Sequence, residues 1–229
     1  MTDHDMTVIA RKTRHVSGLP VSAAAAGGNP GPSTAEGVFL GIRAAIRHKL
    51  GRDNFNGVHV AIQGLGSVGM ALAERLHAAG AKLVVADIDA AALERARVEL
   101  GATVVAPDAI YYVEADIYAP CALGATLNPD TLGRLKARIV AGAANNQLGT
   151  ADVGDMLRQK GVLYAPDFVI NAGGIIKVCY EYLKKPEADV EAHVREIGDT
   201  LAEIFTRADA QGRATSVVAD EVAQARFKR

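Results

Sequence analysis

Hydrophobic and polar positions change period several times along the 229 residues, most clearly between residues 57 and 89, GVHVAIQGLGSVGMALAERLHAAGAKLVVADID. Val58, Val60 and Ile62 alternate with His59, Ala61 and Gln63, and a two-residue period predicts a buried strand. The run ends in Gly64, Gly66 and Gly69, which predicts a tight turn. Ala71, Leu72, Leu76 and Ala79 then recur at helical spacing, and Gly80 follows as a stop. A second apolar run, Leu83, Val84, Val85 and Ala86, closes on Asp87. The pattern reads as strand, turn, helix and strand in immediate succession.

The same reading extends in both directions. Residues 1 to 20 have weak periodicity and mixed charge, and 21 to 33, VSAAAAGGNPGPS, are too rich in small residues, Gly and Pro for a regular element. Within that stretch Ala23 to Gly28 reads as a flexible loop. Ser33 or Thr34 can then cap a helix whose inner face carries Val38, Ile42, Ile46 and Leu50. Beyond Asp87, Ala90 to Leu100 predicts a helix with Leu93, Ala96, Val98 and Leu100 mostly inward. Short strands are expected at Ala102 to Val105, Ala115 to Ala119, Ile139 to Gly142 and Val162 to Tyr164. Helical stretches around Thr131 to Lys136 and Ala151 to Lys160 alternate with them. A long helix burying Val194, Ile197, Leu201, Ile204 and Phe205 should follow, and a last one over Val217 to Phe227. Strand alternating with helix predicts an α/β fold with a doubly wound parallel sheet, which takes ligands in the crevice beyond the carboxyl ends of its strands.

Composition narrows the classes. Hydrophobic residues at 49% and charged residues at 22% are ordinary for a globular chain with a sizeable core. A formal net charge of −1 gives no general reason to bind nucleic acid or an anionic membrane. No apolar segment approaches the length of a membrane span, and the first residues lack the features of a signal peptide. Cys121 and Cys179, far apart and outside any C-x-x-C, point to a reducing compartment and away from a zinc site. The expectation is a cytoplasmic protein without nucleic-acid or membrane partners.

The glycine turn carries the sharpest chemistry. Gly64 would permit the turn, Gly66 would let the backbone approach a pyrophosphate, and Gly69 would let the helix pack closely on the strand. The helix opening at Ser67 and Val68 offers unpaired N–H groups to that pyrophosphate. Asp87 ends the second strand, 23 residues past Gly64, where a carboxylate can accept from ribose hydroxyls. Such a carboxylate would repel a 2′-phosphate, and neither Ile88 nor Asp89 supplies a cation for one, so NAD is expected over NADP. Three glycines at this spacing also occur in plain loops; the flanking strand, helix, strand and acid give them meaning.

Three further loops fall after predicted strands: Ala119 to Gly124, Ala141 to Leu148 and Ala165 to Gly174. Small residues beside the carboxamides of Asn145, Asn146 and Asn171 suit a flat polar ring, although an isolated loop Asn more often caps a turn. At these loops the chain resembles the leucine, phenylalanine and valine dehydrogenases of the glutamate dehydrogenase superfamily. GNPGPSTAEGV, VAIQGLGSVG, DIYAPCALG, AGAANNQL and APDFVINAGG resemble that family's motifs in order and spacing, over nearly all of the chain.

The resemblance implies an NAD-binding domain of an enzyme that oxidatively deaminates an apolar L-amino acid to a 2-oxo acid and ammonia. It assigns Gly64, Gly66, Ser67, Val68, Gly69, Asp87 and Ile88 to the pyrophosphate and adenosine end of NAD. Cys121, Ala122, Asn146 and Asn171 would meet the nicotinamide ribose and carboxamide, with Thr34 beside the ring. Ile175 and Val178 would line the side-chain pocket, where an apolar wall favours leucine, valine or phenylalanine over glutamate. A homo-oligomer, common in the family, is a further expectation.

One departure is large. The family's catalytic lysine and aspartate lie in a preceding domain and have no counterpart here; Asp3 and Asp5 resemble only acids just after that aspartate. Residues 1 to 32 therefore read as a lead-in from the boundary with that domain, and 33 to 229 as the NAD-binding domain with extra C-terminal helices. Met1 reads as a start in mid-protein, so the chain is expected to be a piece of an enzyme, inactive alone. Half of a split enzyme, or a non-catalytic NAD-binding or sensing protein, are the rivals. Lys177 stands where relatives commonly carry a small polar residue.

Overall fold

The computed structural model describes residues 3–20 and 25–228, so Met1, and residues 23–24 of the loop read at Ala23 to Gly28, lie outside the described residues. In chain order the first elements are α1 (Asp3–Ala10), α2 (Gly31–Leu50), β1 (His59–Gln63), α3 (Ser67–Ala78), β2 (Lys82–Ala86) and α4 (Ala90–Leu100). Next come β3 (Thr103–Val104), a 3₁₀ helix (Pro107–Tyr112), β4 (Ile117–Pro120), α5 (Pro129–Arg134), β5 (Ile139–Val140), α6 (Val153–Gln159) and β6 (Leu163–Tyr164). The chain closes with α7 (Asp167–Ile170), α8 (Gly173–Tyr182), α9 (Glu187–Gln211) and α10 (Thr215–Phe227).

Every strand pairing is parallel, in the order β3-β2-β1-β4-β5-β6. Chain order reverses between β1 and β4, so the crevice of a doubly wound sheet opens beyond their carboxyl ends. The period of two along each strand sends residues to opposite layers. Val60 and Ile62 of β1, Ile117 and Ala119 of β4 and Ile139 of β5 join one core, with α2, α3 and α9 over it. Ala61, Tyr118, Val140 and Tyr164 join the other, with the 3₁₀ helix, α5 and α6. Both faces are covered, which is why the middle positions of β1 and all of β4, β5 and β6 are buried on both sides.

The long helix α9 buries Val190, Val194, Ile197, Leu201, Ile204, Phe205 and Ala208, a stripe at helical spacing. It crosses α2 closely because α2 is small where they meet. A Cβ at Gly41 would lie 2.7 Å from Leu201 Cδ1, and one at Gly37 2.7 Å from Ile197 Cδ1.

Several expectations are corrected. A helix, α1, forms in the weakly periodic first residues, with Val8 and Ile9 exposed rather than buried. α2 starts at Gly31, inside the stretch read as irregular, and neither Ser33 nor Thr34 caps it. Pro32 suits a first helical turn, and Asn29 Oδ1 accepts from Gly31 N–H at 2.9 Å, while the Thr34 hydroxyl donates back to Pro30 O at 3.0 Å. Val98 is 65% exposed because α4 turns only Ala96 fully inward. The loop expected over Ala165 to Gly174 is helical from Asp167 to Ile170 and again from Gly173. Among the described residues no helix is long and apolar enough to cross a membrane, and no cluster of His, Cys, Asp and Glu is arranged to hold a metal.

Candidate functional site at the carboxyl ends of the strands

The glycine turn joins β1 to α3. Gly64 sits at φ +98°, a left-handed conformation that disfavours a side chain, and its N–H donates to Ala86 O at 2.8 Å. A Cβ there would also lie 2.8 Å from the backbone nitrogen of Ala122, so turn and β4 loop are in contact. A Cβ on Gly69 would overlap the carbonyl oxygen of Gly64 and come within 3.3 Å of Cys121 Cβ. Helix α3 can approach β1 this closely only through a glycine. Gly66 differs: its φ is −63° and nothing lies within 4 Å of where its Cβ would stand.

The space above Gly66 faces the start of α3, which no side chain caps. Amides at Ser67 and Val68 are thus left for an external acceptor, with the helix dipole adding to the attraction for an anion. The side chain of Asn29 reaches Ser67 Oγ at 3.4 Å and borders this spot. Beside it a groove of about 530 Å³ runs between the first turns of α3 and α4, bordered by Leu65, Gly66, Met70, Asp89 and Ala92. An open cradle with an uncapped helix end fits the pyrophosphate of a dinucleotide.

Asp87 closes this end. Its carboxylate accepts from the backbone N–H of Leu65 and, at 2.8 Å, of Asp89. Burial works against its ionisation, but the N–H groups of Leu65, Asp89 and Ile88 outweigh burial and hold its pKa below the ordinary value. It is therefore a carboxylate at neutral pH. Asp89 caps α4, accepting from Ala91 N–H at 2.9 Å, and Ile88 is 95% exposed. The cation nearest the groove, Arg95, is committed to Glu74 at 2.5 Å and Glu99 at 3.0 Å.

The other end is built by the loops after β4, β5 and β6. Cys121 donates its N–H to Gln63 O at 2.7 Å and is half-buried with its Cβ against Gly69, where desolvation raises its thiol pKa to about 11, while Ala122 is exposed. Asn146 is exposed, in a left-handed conformation with φ +52°. Asn171 Nδ2 donates to Ala143 O at 3.1 Å and Asn145 Oδ1 at 2.7 Å, linking the last two loops. Thr34, in the first turn of α2, packs against the start of α8, where a Cβ on Gly174 would lie 2.5 Å from its Oγ1.

On α8, Ile175 is 61% exposed and Val178 is half-buried, one helical step away on the same side. Lys177 does not share that side. Its Nζ lies 2.6 Å from Glu187 Oε1 of α9 and its side chain is only 12% exposed, so its charge is engaged behind the helix. Two residues at the site were not singled out from sequence. Gln147 is wholly buried, and Asp167 accepts from its backbone N–H at 2.9 Å. A lone long polar residue inside a small-residue loop was the available signal.

Known proteins resemble this chain over nearly its whole length. The family model of the Glutamate/Leucine/Phenylalanine/Valine dehydrogenases matches residues 29–94 and 86–227. Leucine dehydrogenase of Bacillus cereus is 46% identical over 226 residues, 99% of this chain and 62% of that protein. L-tryptophan dehydrogenase of Nostoc punctiforme is 44% identical over 228 residues, 99% of this chain and 64% of that protein. The chain thus spans under two thirds of the length of these relatives. The crystal structure of the Nostoc punctiforme enzyme superposes with a TM-score of 0.85 at 45% identity, covering 87% of this chain and 61% of that one. The hetero-hexameric glutamate dehydrogenase of Thermus thermophilus shares the fold, with a TM-score of 0.69 at 22% identity over 93% of this chain and 57% of that one. From its glycine turn to its last helix, the chain belongs to the glutamate/leucine/phenylalanine/valine dehydrogenase family.

Proposed function

We propose that this chain seats NAD for the reversible oxidative deamination of an apolar L-amino acid to its 2-oxo acid and ammonia. One observation carries the reading: an uncapped α3 opens over unfilled space at Gly66, with the ionised Asp87 fixed at the end of the next strand. Backbone amides of Ser67 and Val68 would hold the pyrophosphate, and Asp87 would accept from the adenosine ribose. Asn146, Asn171 and Ala122 would orient the nicotinamide ribose and carboxamide, with Thr34 beside the ring. Bound there, the nicotinamide supplies the hydride acceptor. Ile175 and Val178 favour leucine, valine or phenylalanine, since a γ-carboxylate would be stranded against them. The proton transfers belong to a lysine and an aspartate for which the resemblance finds no counterpart in these residues.

A titration followed by nicotinamide fluorescence, with NADH and NADPH in parallel, tests the reading. Saturable binding with clear preference for NADH is expected. Failure to bind either, or preference for NADPH, would overturn it.

A further inference from the structure

Gln147 is a carboxamide kept where no solvent reaches it, and only half of it is used. Its Nε2 donates to Gly142 O and Ala144 O, both at 2.9 Å, folding the β5 loop across itself. Its Oε1 is buried without a partner. An orphaned acceptor is costly, so the demand must come from the other half: an apolar residue of this size would leave two loop carbonyls unpaired.

The backbone on either side is fixed as well. Gln147 N–H donates to Asp167 Oδ2 at 2.9 Å, and the other Asp167 oxygen accepts from Phe168 N–H at 2.8 Å. Asn146 O accepts from Ala125 N–H at 2.6 Å, and Asn145 Oδ1 from Asn171 Nδ2 at 2.7 Å. The anchors enclose two exposed residues, Asn145 and Asn146; the side chain of Asn145 is taken by Asn171, and Asn146 is the one in a left-handed conformation. Backbone of that kind persists where its surroundings over-determine it.

We propose that Gln147 and Asp167 are positioning residues, which fix Asn146 for the nicotinamide half of the dinucleotide while touching no ligand themselves. This rests on the reading of the site given above. It separates two functions along one crevice. The Gly64 to Asp87 end grips the adenosine and pyrophosphate, and the Gln147–Asp167 pair sets the geometry of the nicotinamide end.

The experiment uses the full chain and two ligands, NADH and ADP-ribose, the second lacking nicotinamide. In Gln147→Leu and Asp167→Ala the dissociation constant for NADH should rise about tenfold, while that for ADP-ribose stays within about twofold of the unsubstituted chain. Asp167→Asn, which keeps an acceptor for Gln147 N–H, should recover most of the loss. Unchanged NADH binding in both variants, or equal weakening of both ligands, would overturn the positioning role alone. Absence of NADH binding by the unsubstituted chain would overturn the site reading and this inference with it.

Discussion

The carboxylate of Asp87 accepts a hydrogen bond from the backbone N–H of Leu65, so the end of β2 braces the glycine turn that follows β1. The same carboxylate accepts from Asp89 N–H, at the start of α4. One side chain thereby sets the relation of two strands and two helices around the crevice.

Asp87→Ala should weaken NADH binding by about tenfold or more, because hydrogen bonds to a charged group contribute about 1.5–3 kcal/mol each. NADPH should lose less or gain, since the repulsion of its 2′-phosphate goes with the carboxylate. Parallel fluorescence titrations read both. An unchanged NADH-to-NADPH ratio would contradict the assignment.

Acid stability should report the same residue. The pKa of Asp87 is lowered in the folded chain, so its contribution is complete above the ordinary value of 3.8 and is lost as pH falls through the folded value. Denaturant midpoints measured from about pH 5 to about pH 3 should therefore fall less steeply in Asp87→Asn than in the unsubstituted chain.

Two glycines of one turn should answer differently to alanine. A Cβ at Gly69 meets the carbonyl oxygen of Gly64, so Gly69→Ala should destabilise by about 1–3 kcal/mol. Gly66 has room and a negative φ, so Gly66→Ala should keep stability within about 0.5 kcal/mol. It should nonetheless weaken NADH binding by filling the cradle. Thermal melts beside titrations separate the two effects.

The two cysteines should differ in reactivity. Cys179 is exposed on α8, whereas Cys121 is half-buried, and desolvation raises its thiol pKa to about 11. With Ellman's reagent at about pH 8, one thiol should react rapidly and the second far more slowly until the chain unfolds, because the thiolate is the reactive form. Rapid reaction of both would contradict the packing of Cys121 beneath Gly69.

The central strands and the nucleotide turn were legible because burial demands short apolar runs, Val58 to Ile62 and Leu83 to Ala86, that end in glycines or an acid at the crevice. The heptad-like face of α9 was legible for the same reason. Features set by partners distant in sequence, or by which of several neighbouring polar groups takes a helix end, were not. Thr34 looks like a cap, yet Asn29 takes the Gly31 N–H and Pro30 takes the hydroxyl. Val98 fits an inward face by spacing, but only Ala96 of α4 is buried. Helix α8 begins in an NAGG sequence of poor helical propensity, where Gly173 lies so close to Ser33 O that a Cβ would overlap it. At the site, the glycines and Asp87 announce themselves locally, whereas Gln147 and Asp167 acquire meaning only once β5 and β6 lie side by side.

The most direct test of the account maps NADH onto the chain by backbone amide NMR shifts. The largest shifts are expected at Leu65 to Val68, at Asp87 and Ile88, and at Asn145 and Asn146, with α10 and the first turn of α6 unmoved. Saturable shifts confined to other surfaces, with Leu65 to Val68 silent, would contradict it.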